Sequence, residues 1–167
     1  MGYTTDFEGF FYLNKSLTIE HHAYLTAFAN TRRMERDVSK CRQMPDPIRQ
    51  AVGLAVGPDG AYFVGGKGYA GQDRDPSVTD YNTPPDQQPG LWCHWIPNPE
   101  GTAIIFDGGE KFDSYVEWIE YLIVHFLAPA GYVLNGDMLW QGEEMSDRGT
   151  IYIRNNVVTT TTEDDVE

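Results

Sequence analysis

Positive charge is scarce in this chain. Twelve Lys and Arg stand against 25 Asp and Glu, a formal net of −13. Such a surface repels phosphate backbones and anionic headgroups, which argues against direct nucleic-acid binding and against a membrane-surface role. Cysteine is scarcer still, with Cys41 and Cys93 the only two. No CxxC pair occurs, so a disulfide framework is not expected and a reducing cytosol is the default compartment. Long apolar runs are also missing. Each is broken by Glu, Asp or His before the roughly 20 residues that a bilayer span needs. The first residues, MGYTTDFEGFF, lack the basic and apolar regions of a signal peptide. Asp6 stands where a myristoylation motif beginning at Gly2 would carry Ser or Thr. There is no GxxxxGK[ST] phosphate loop, no HExxH zinc motif and no GxSxG elbow, and no repeat of 20–50 residues.

The chain does contain a folded protein's share of apolar residues, 41%, and of aromatics, 13%. The most regular stretch is FDSYVEWIEYLIVHF, 112–126. Phe112, Tyr115, Val116, Ile119, Leu122, Ile123 and Phe126 recur at steps of three and four, which predicts one apolar face over four helical turns. Pro129 ends it, having no N–H to continue the ladder. Trp118, Tyr121 and His125 form a second stripe, read either as packing against another element or as an aromatic contact surface.

Around this helix the sequence predicts strands. FEGFFYL (7–13) is rich in aromatics, which pack well on a pleated surface. LWCHWI (91–96), the turn PNPEG and TAIIF (102–106) form the strongest hairpin signal, with Trp92, His94 and Ile96 on one face and Leu91, Cys93 and Trp95 on the other. AYFV (61–64) and TIYI (150–153) read as short strands. YVLNGDMLW (132–140) contains Asn135-Gly136, either a hairpin turn or a bulge. A shorter helix is expected near 19–29, capped by Thr18, with Ile19, Ala23, Ala27 and Phe28 inward. Asp46-Pro47 opens one turn of helix, GPDG (57–60) is a turn, and Asn155-Asn156 turns or bulges the last strand. The expected fold is α+β: a mainly antiparallel sheet with one long and one shorter helix on one face, in one domain over 1–158. The acidic end, 159–167, reads as a disordered tail.

Two segments stand apart. Residues 31–42 carry Arg32, Arg33, Arg36, Lys40 and Arg42 against Glu35 and Asp37, a local net of +3. They read as a counter-charge for the acidic remainder, or as an anion site in which Arg32, Arg33 and Arg36 fork around a phosphate. Residues 66–90 form a long connection rich in Gly, Pro and Asp, of a length that is often functional when ordered. Within and beside it, Asp73, Arg74, Asp80, Tyr81, Trp92, Trp95 and Trp140 are the expected contact residues. His94 with Asp73 or Asp75, and Arg74, is the most enzyme-like constellation, since an imidazole beside a carboxylate can act as general base. Glu143, Glu144 and Asp147, with Asp137, could gather around magnesium, but a solvated acidic loop is the simpler reading, and neither metal nor cofactor is expected.

The pieces MGYTTDFEGFF with LNKSLTIEH, ANTRRMERD, GGKGYAGQDRD, DYNTPP, QPGLWCHWIP, FDGGEKFDSYVEWIEYLIVHFLAPAGY and LNGDMLWQGEEMSDRGTIYI span nearly the whole chain apart from its tail. Together they resemble a family of small bacteriophage and prophage proteins. Ile19 departs from it, standing where the family favours proline after LT. The family carries no activity to transfer. What the resemblance implies is a phage accessory product in the cytoplasm of a bacterial host. Such products bind and redirect host proteins, defence proteins among them. The expected function is therefore a non-enzymatic protein that modulates a basic host partner through an acidic, aromatic-bearing surface. A small-ligand or nucleotide sponge, or a small hydrolase using His94, is the alternative. Oligomeric state stays open.

Overall fold

The computed structural model describes residues 3–70, 75–109 and 111–162. Along the chain the elements are β1 (Asp6–Leu13), α1 (Ile19–Ala29), β2 (Glu35–Arg36), α2 (Val38–Arg42), α3 (Pro47–Ala51), β3 (Val78–Asp80), β4 (Trp95–Pro97), β5 (Ala103–Phe106), α4 (Tyr115–Leu122), β6 (Leu134–Gln141), β7 (Arg148–Arg154) and β8 (Val157–Thr162). The fold is α+β, built mainly on an antiparallel sheet. The chain divides into two compact units. The first joins Met1–Leu17 to His94–Glu167, and the second is the intervening Thr18–Cys93.

The first unit holds a six-stranded sheet in the order β4-β5-β1-β6-β7-β8, every pairing antiparallel. The expected hairpin is present in shortened form, β4 (Trp95–Pro97) pairing with β5, while 91–94 form no strand, so the expected two-faced alternation of Leu91–Ile96 does not extend over them. Its turn is tied by Asn98, whose Oδ1 accepts from the backbone of Thr102 at 2.8 Å and of Ala103 at 3.1 Å. Asn155-Asn156 turns the chain between β7 and β8, both residues having positive φ. Asn135-Gly136 neither turns nor breaks its strand. β6 runs straight through it, because a Cβ at Gly136 would lie 2.3 Å from the Phe10 carbonyl and glycine alone lets the two backbones approach. β8 extends to Thr162, so Thr159–Thr162, expected as tail, belong to the sheet. The rest of that expected tail, 163–167, lies outside the described residues.

The long helix begins three residues later than its periodicity suggests. Lys111 and Ser114 have φ of 58° and 57°, and between them Phe112 is 2% exposed. Its ring stacks at 5° to Phe106 and meets Trp95 and Phe7 edge-on. Two left-handed residues cost about 1 kcal/mol each or somewhat more. Burying a phenylalanine in aromatic contact returns roughly 2–4 kcal/mol, so the plug outweighs one more helical turn. Tyr115 seats the helix start on the sheet: its ring lies 5.0 Å from Phe7 and 5.8 Å from Trp140, and its carbonyl accepts from Trp95 Nε1 at 2.8 Å. Ile119 and Leu122 are buried as expected, and so are Trp118 and Tyr121. The second stripe is therefore packing rather than a contact surface. After Leu122 the helix widens into a π turn, Ile123–Leu127, two residues short of Pro129.

The second unit has little regular structure: α1, two five-residue helices and the two-stranded β2-β3 sheet. Thr18 caps α1 as expected, accepting from the His21 amide. Ile19, placed in the inward stripe, is 85% exposed, because the buried face begins a turn later with Tyr24, Leu25, Ala27 and Phe28. Residues 61–64 do not form a strand. Phe63 and Val64 are buried in irregular chain, Phe63 with Cys41 and Val56. Burial there satisfies the apolar residues without a pairing partner.

Candidate functional site

Buried arginines hold the second unit together. Arg33, 1% exposed, donates to the Ala61 carbonyl and to Gln88 and stacks 4.2 Å over Phe28. Arg36, 3% exposed, donates to Asp75 at 2.9 Å and to Ser77 at 2.8 Å and covers Phe63. Arg49 pairs with Asp46 at 2.6 Å, and Asp46 in turn accepts from the Val64 and Gly65 amides. Burial works against the Asp75 carboxylate, but hydrogen bonds from Ser77 and Arg36 and the Arg36 charge hold its pKa below the usual carboxylate range. Arg33 and Arg36 are thus corrected from anion ligands to internal struts: both are buried, Arg36 against Asp75, and Arg33 against the Ala61 carbonyl, Gln88 and the Phe28 ring. Arg32 lies 4.2 Å over the Tyr81 ring and donates to the Tyr81 carbonyl, so these two expected site residues do come together. Asp80 caps its own turn, accepting from the Asn82 amide and the Thr83 hydroxyl. The arginines that line an open concavity of about 620 Å³ are Arg42 and Arg49, and the charge of Arg49 is met by Asp46.

Asp73 and Arg74 lie outside the described residues. Trp92 is half-buried. Trp95 and Trp140 are corrected from contact residues to core. They are 1% and 7% exposed, with their indole N–H groups satisfied by the Tyr115 carbonyl and by Asp147 at 3.1 Å. Asp147 also accepts from the Tyr3 hydroxyl at 2.7 Å and Glu143 from the Thr4 amide, while Asp137 pairs with Arg154. These carboxylates therefore serve as structural ties, and among the described residues no cluster has the makings of a metal site.

His94 does find a carboxylate, but a different one from those expected. Nδ1 lies 3.0 and 2.9 Å from the two oxygens of Asp107, across the β4-β5 hairpin. Asp75 is committed to Arg36 instead. The amide of Gly109 donates to Asp107 at 2.7 Å, and a Cβ at Gly109 would sit 2.5 Å from Nδ1, so glycine lets the backbone fold over the ring. Phe106 and Phe112 flank the imidazole. With Nδ1 donating, Nε2 is the acceptor, the orientation of a general base. Among the described residues no Ser, Cys or Thr hydroxyl or thiol is hydrogen-bonded to it.

The broadest feature is the open face of the sheet. In the register of β1, β6 and β7, Glu8 faces Leu139, Phe10 faces Asp137 and Tyr12 faces Asn135, while Asp137 and Leu139 face Tyr152 and Thr150. Directly opposed residues share one face. Phe10, Tyr12 and Leu139 are 47%, 57% and 52% exposed. The Phe10 and Tyr12 rings lie 5.7 Å apart, and a shallow concavity of about 610 Å³ runs over them to Asp137 and Arg154. Arg154 bonds Asp137 at 2.8 Å and leans over Tyr152. The expected site residues omitted this face. The signal was present in FEGFFYL: aromatics occupy both alternating sets, so one set has to face away from the core.

Comparison with protein-family models, with curated proteins and with solved structures gave no match.

Proposed function

We propose that this chain is a non-enzymatic binding protein, a phage accessory product that docks on a basic host protein and modulates it, with the open face of β1, β6 and β7 as the contact. The observation that carries the reading is the row of exposed Phe10, Tyr12 and Leu139 on a regular sheet. Rigid aromatic anchors of this kind dominate binding energy at interfaces. Asp6 and Glu8, exposed on the same strand, border the row with negative charge, and the chain's net of −13 favours a basic partner and speeds its approach. Interference with a host defence protein is one form this modulation takes.

The test is capture from a bacterial host lysate on immobilised wild-type protein beside Phe10→Asp and Leu139→Asp. The proposal expects a basic protein retained by the wild type and lost from both variants, with affinity falling as salt is raised. Equal retention by all three proteins, or affinity indifferent to salt, would refute it.

A second reading rests on the His94–Asp107 pair, whose geometry suits a base in a small hydrolase. It requires turnover of a substrate by wild type and none by His94→Ala.

A further inference from the structure

The sheet of the first unit has two edges, and they are built differently. β4 is three residues long and ends in Pro97, which has no N–H to offer. β8 is six residues long, VVTTTT, and every one of them is β-branched. Natural proteins guard sheet edges with lysine, proline, a bulge or extreme shortness. β8 carries none of these, in a chain with 37 charged residues and ten prolines to draw on. We propose that β8 is a self-association edge: two copies of this chain pair β8 against β8, antiparallel about a twofold axis, and join two six-stranded sheets into one.

The backbone geometry supplies the bonds. Asn155 and Asn156, with φ of 50° and 68°, form a two-residue turn in which the closing pair is Arg154 and Val157. Such a closing pair exchanges both its backbone hydrogen bonds, and the alternation carries that pattern to Tyr152–Thr159 and Thr150–Thr161. Val158 and Thr160 therefore aim N–H and C=O away from β7. With the twofold centred on Thr159, Val158 of one copy stands opposite Thr160 of the other, and each pair can exchange both bonds. The match is isologous, so one strand supplies both halves.

Charge selects a second copy as the occupant. Two molecules of net −13 repel one another over most of their surface. β8 is uncharged along its whole length, so its edge is where a copy can come within hydrogen-bonding distance without opposing carboxylates. Antiparallel self-pairing also sets threonine beside threonine or valine, a favourable cross-strand neighbour. This inference is independent of the docking role of the open face.

The experiment is sedimentation equilibrium of the full chain up to about 100 μM, a range that reveals any pairing with Kd at or below that level. Wild type should approach twice 18.9 kDa. Thr160→Pro removes an outward N–H and leaves the β7 ladder intact, and should stay at 18.9 kDa with unchanged circular dichroism. Should that proline unfold the strand, Thr160→Lys decides, since the two lysines would stand diagonally across the twofold on one face and repel. The Val158 and Thr160 amides should gain hydrogen-exchange protection as concentration rises. Wild type monomeric throughout would overturn the proposal. So would a dimer that survives both Thr160 variants, or one abolished by Phe10→Asp alone, which would put the contact on the open face.

Discussion

Arg36 is 3% exposed, and its guanidinium donates to the Asp75 carboxylate, 39 residues further along the chain, at 2.9 Å. Beyond that ion pair, Arg36 Nη2 has no hydrogen-bond partner among the described residues. Asp75 is therefore the anion on which this buried charge depends. Asp75→Asn should lower stability by about 2 kcal/mol at neutral pH, less than a fully buried pair would lose because Asp75 is 26% exposed. The sign with pH follows from its depressed pKa. The contribution is full above the ordinary carboxylate range and is lost as pH falls through the folded value. Urea midpoints measured from neutral pH downward should converge for wild type and Asp75→Asn in acid.

Ile119 and Val124 test the helix. Ile119 is fully buried and Val124 is 63% exposed. Ile119→Ala should cost about 3 kcal/mol through lost burial and a cavity, while Val124→Ala should stay within about 0.5 kcal/mol. Chemical denaturation of both proteins checks the contrast.

Burial pushes the Tyr115 hydroxyl up to about 12, and the charges of Asp147 and Glu117 add to the rise. A raised pKa means that the unfolded chain releases this proton first. Stability from Tyr115 is thus full below its unfolded pKa near 10 and is lost as pH climbs from there through about 12. A tyrosinate absorbance titration should show a late step near pH 12, and Tyr115→Phe should remove that step.

Both thiols are sealed. Cys41 and Cys93 are 0% and 1% exposed. Burial raises the Cys41 pKa, against the opposing charge of Arg36 and the Ser77 hydrogen bond. A thiol reagent at mildly alkaline pH should label neither in the folded protein and both in urea. Rapid labelling of Cys41 in the native state would contradict its packing with Phe63 and Val56.

The two readings of function separate on His94. His94→Ala should leave retention of a protein partner unchanged, because the ring packs against Phe106, Phe112 and Gly109 beside β4, which β5 separates from the strand that carries Phe10 and Tyr12. Loss of a hydrolytic activity in His94→Ala, with retention by Phe10→Asp, would favour the enzyme. Assaying both variants in capture and in hydrolysis distinguishes them.

Local chemistry made several elements legible in the sequence. The PNPEG hairpin, the Asn155-Asn156 turn, the Thr18 cap, the Pro47 helix start and the buried stripe through Ile119 follow from residues that act on neighbours a few positions away. Tertiary structure decided the rest, because the deciding partner lies far off in the chain. Phe112 leaves the helix for an aromatic nest that includes Phe7. Arg33 and Arg36 of the basic island turn inward because Asp75, Gln88 and Ala61 meet their guanidinium groups. Trp95 and Trp140 are core because Tyr115 and Asp147 satisfy their indoles, and His94 takes Asp107 because β5 lies beside β4. A sequence shows which side chains are apolar or charged. Pairing a strand whose two faces are both aromatic is what leaves Phe10 and Tyr12 on the outside.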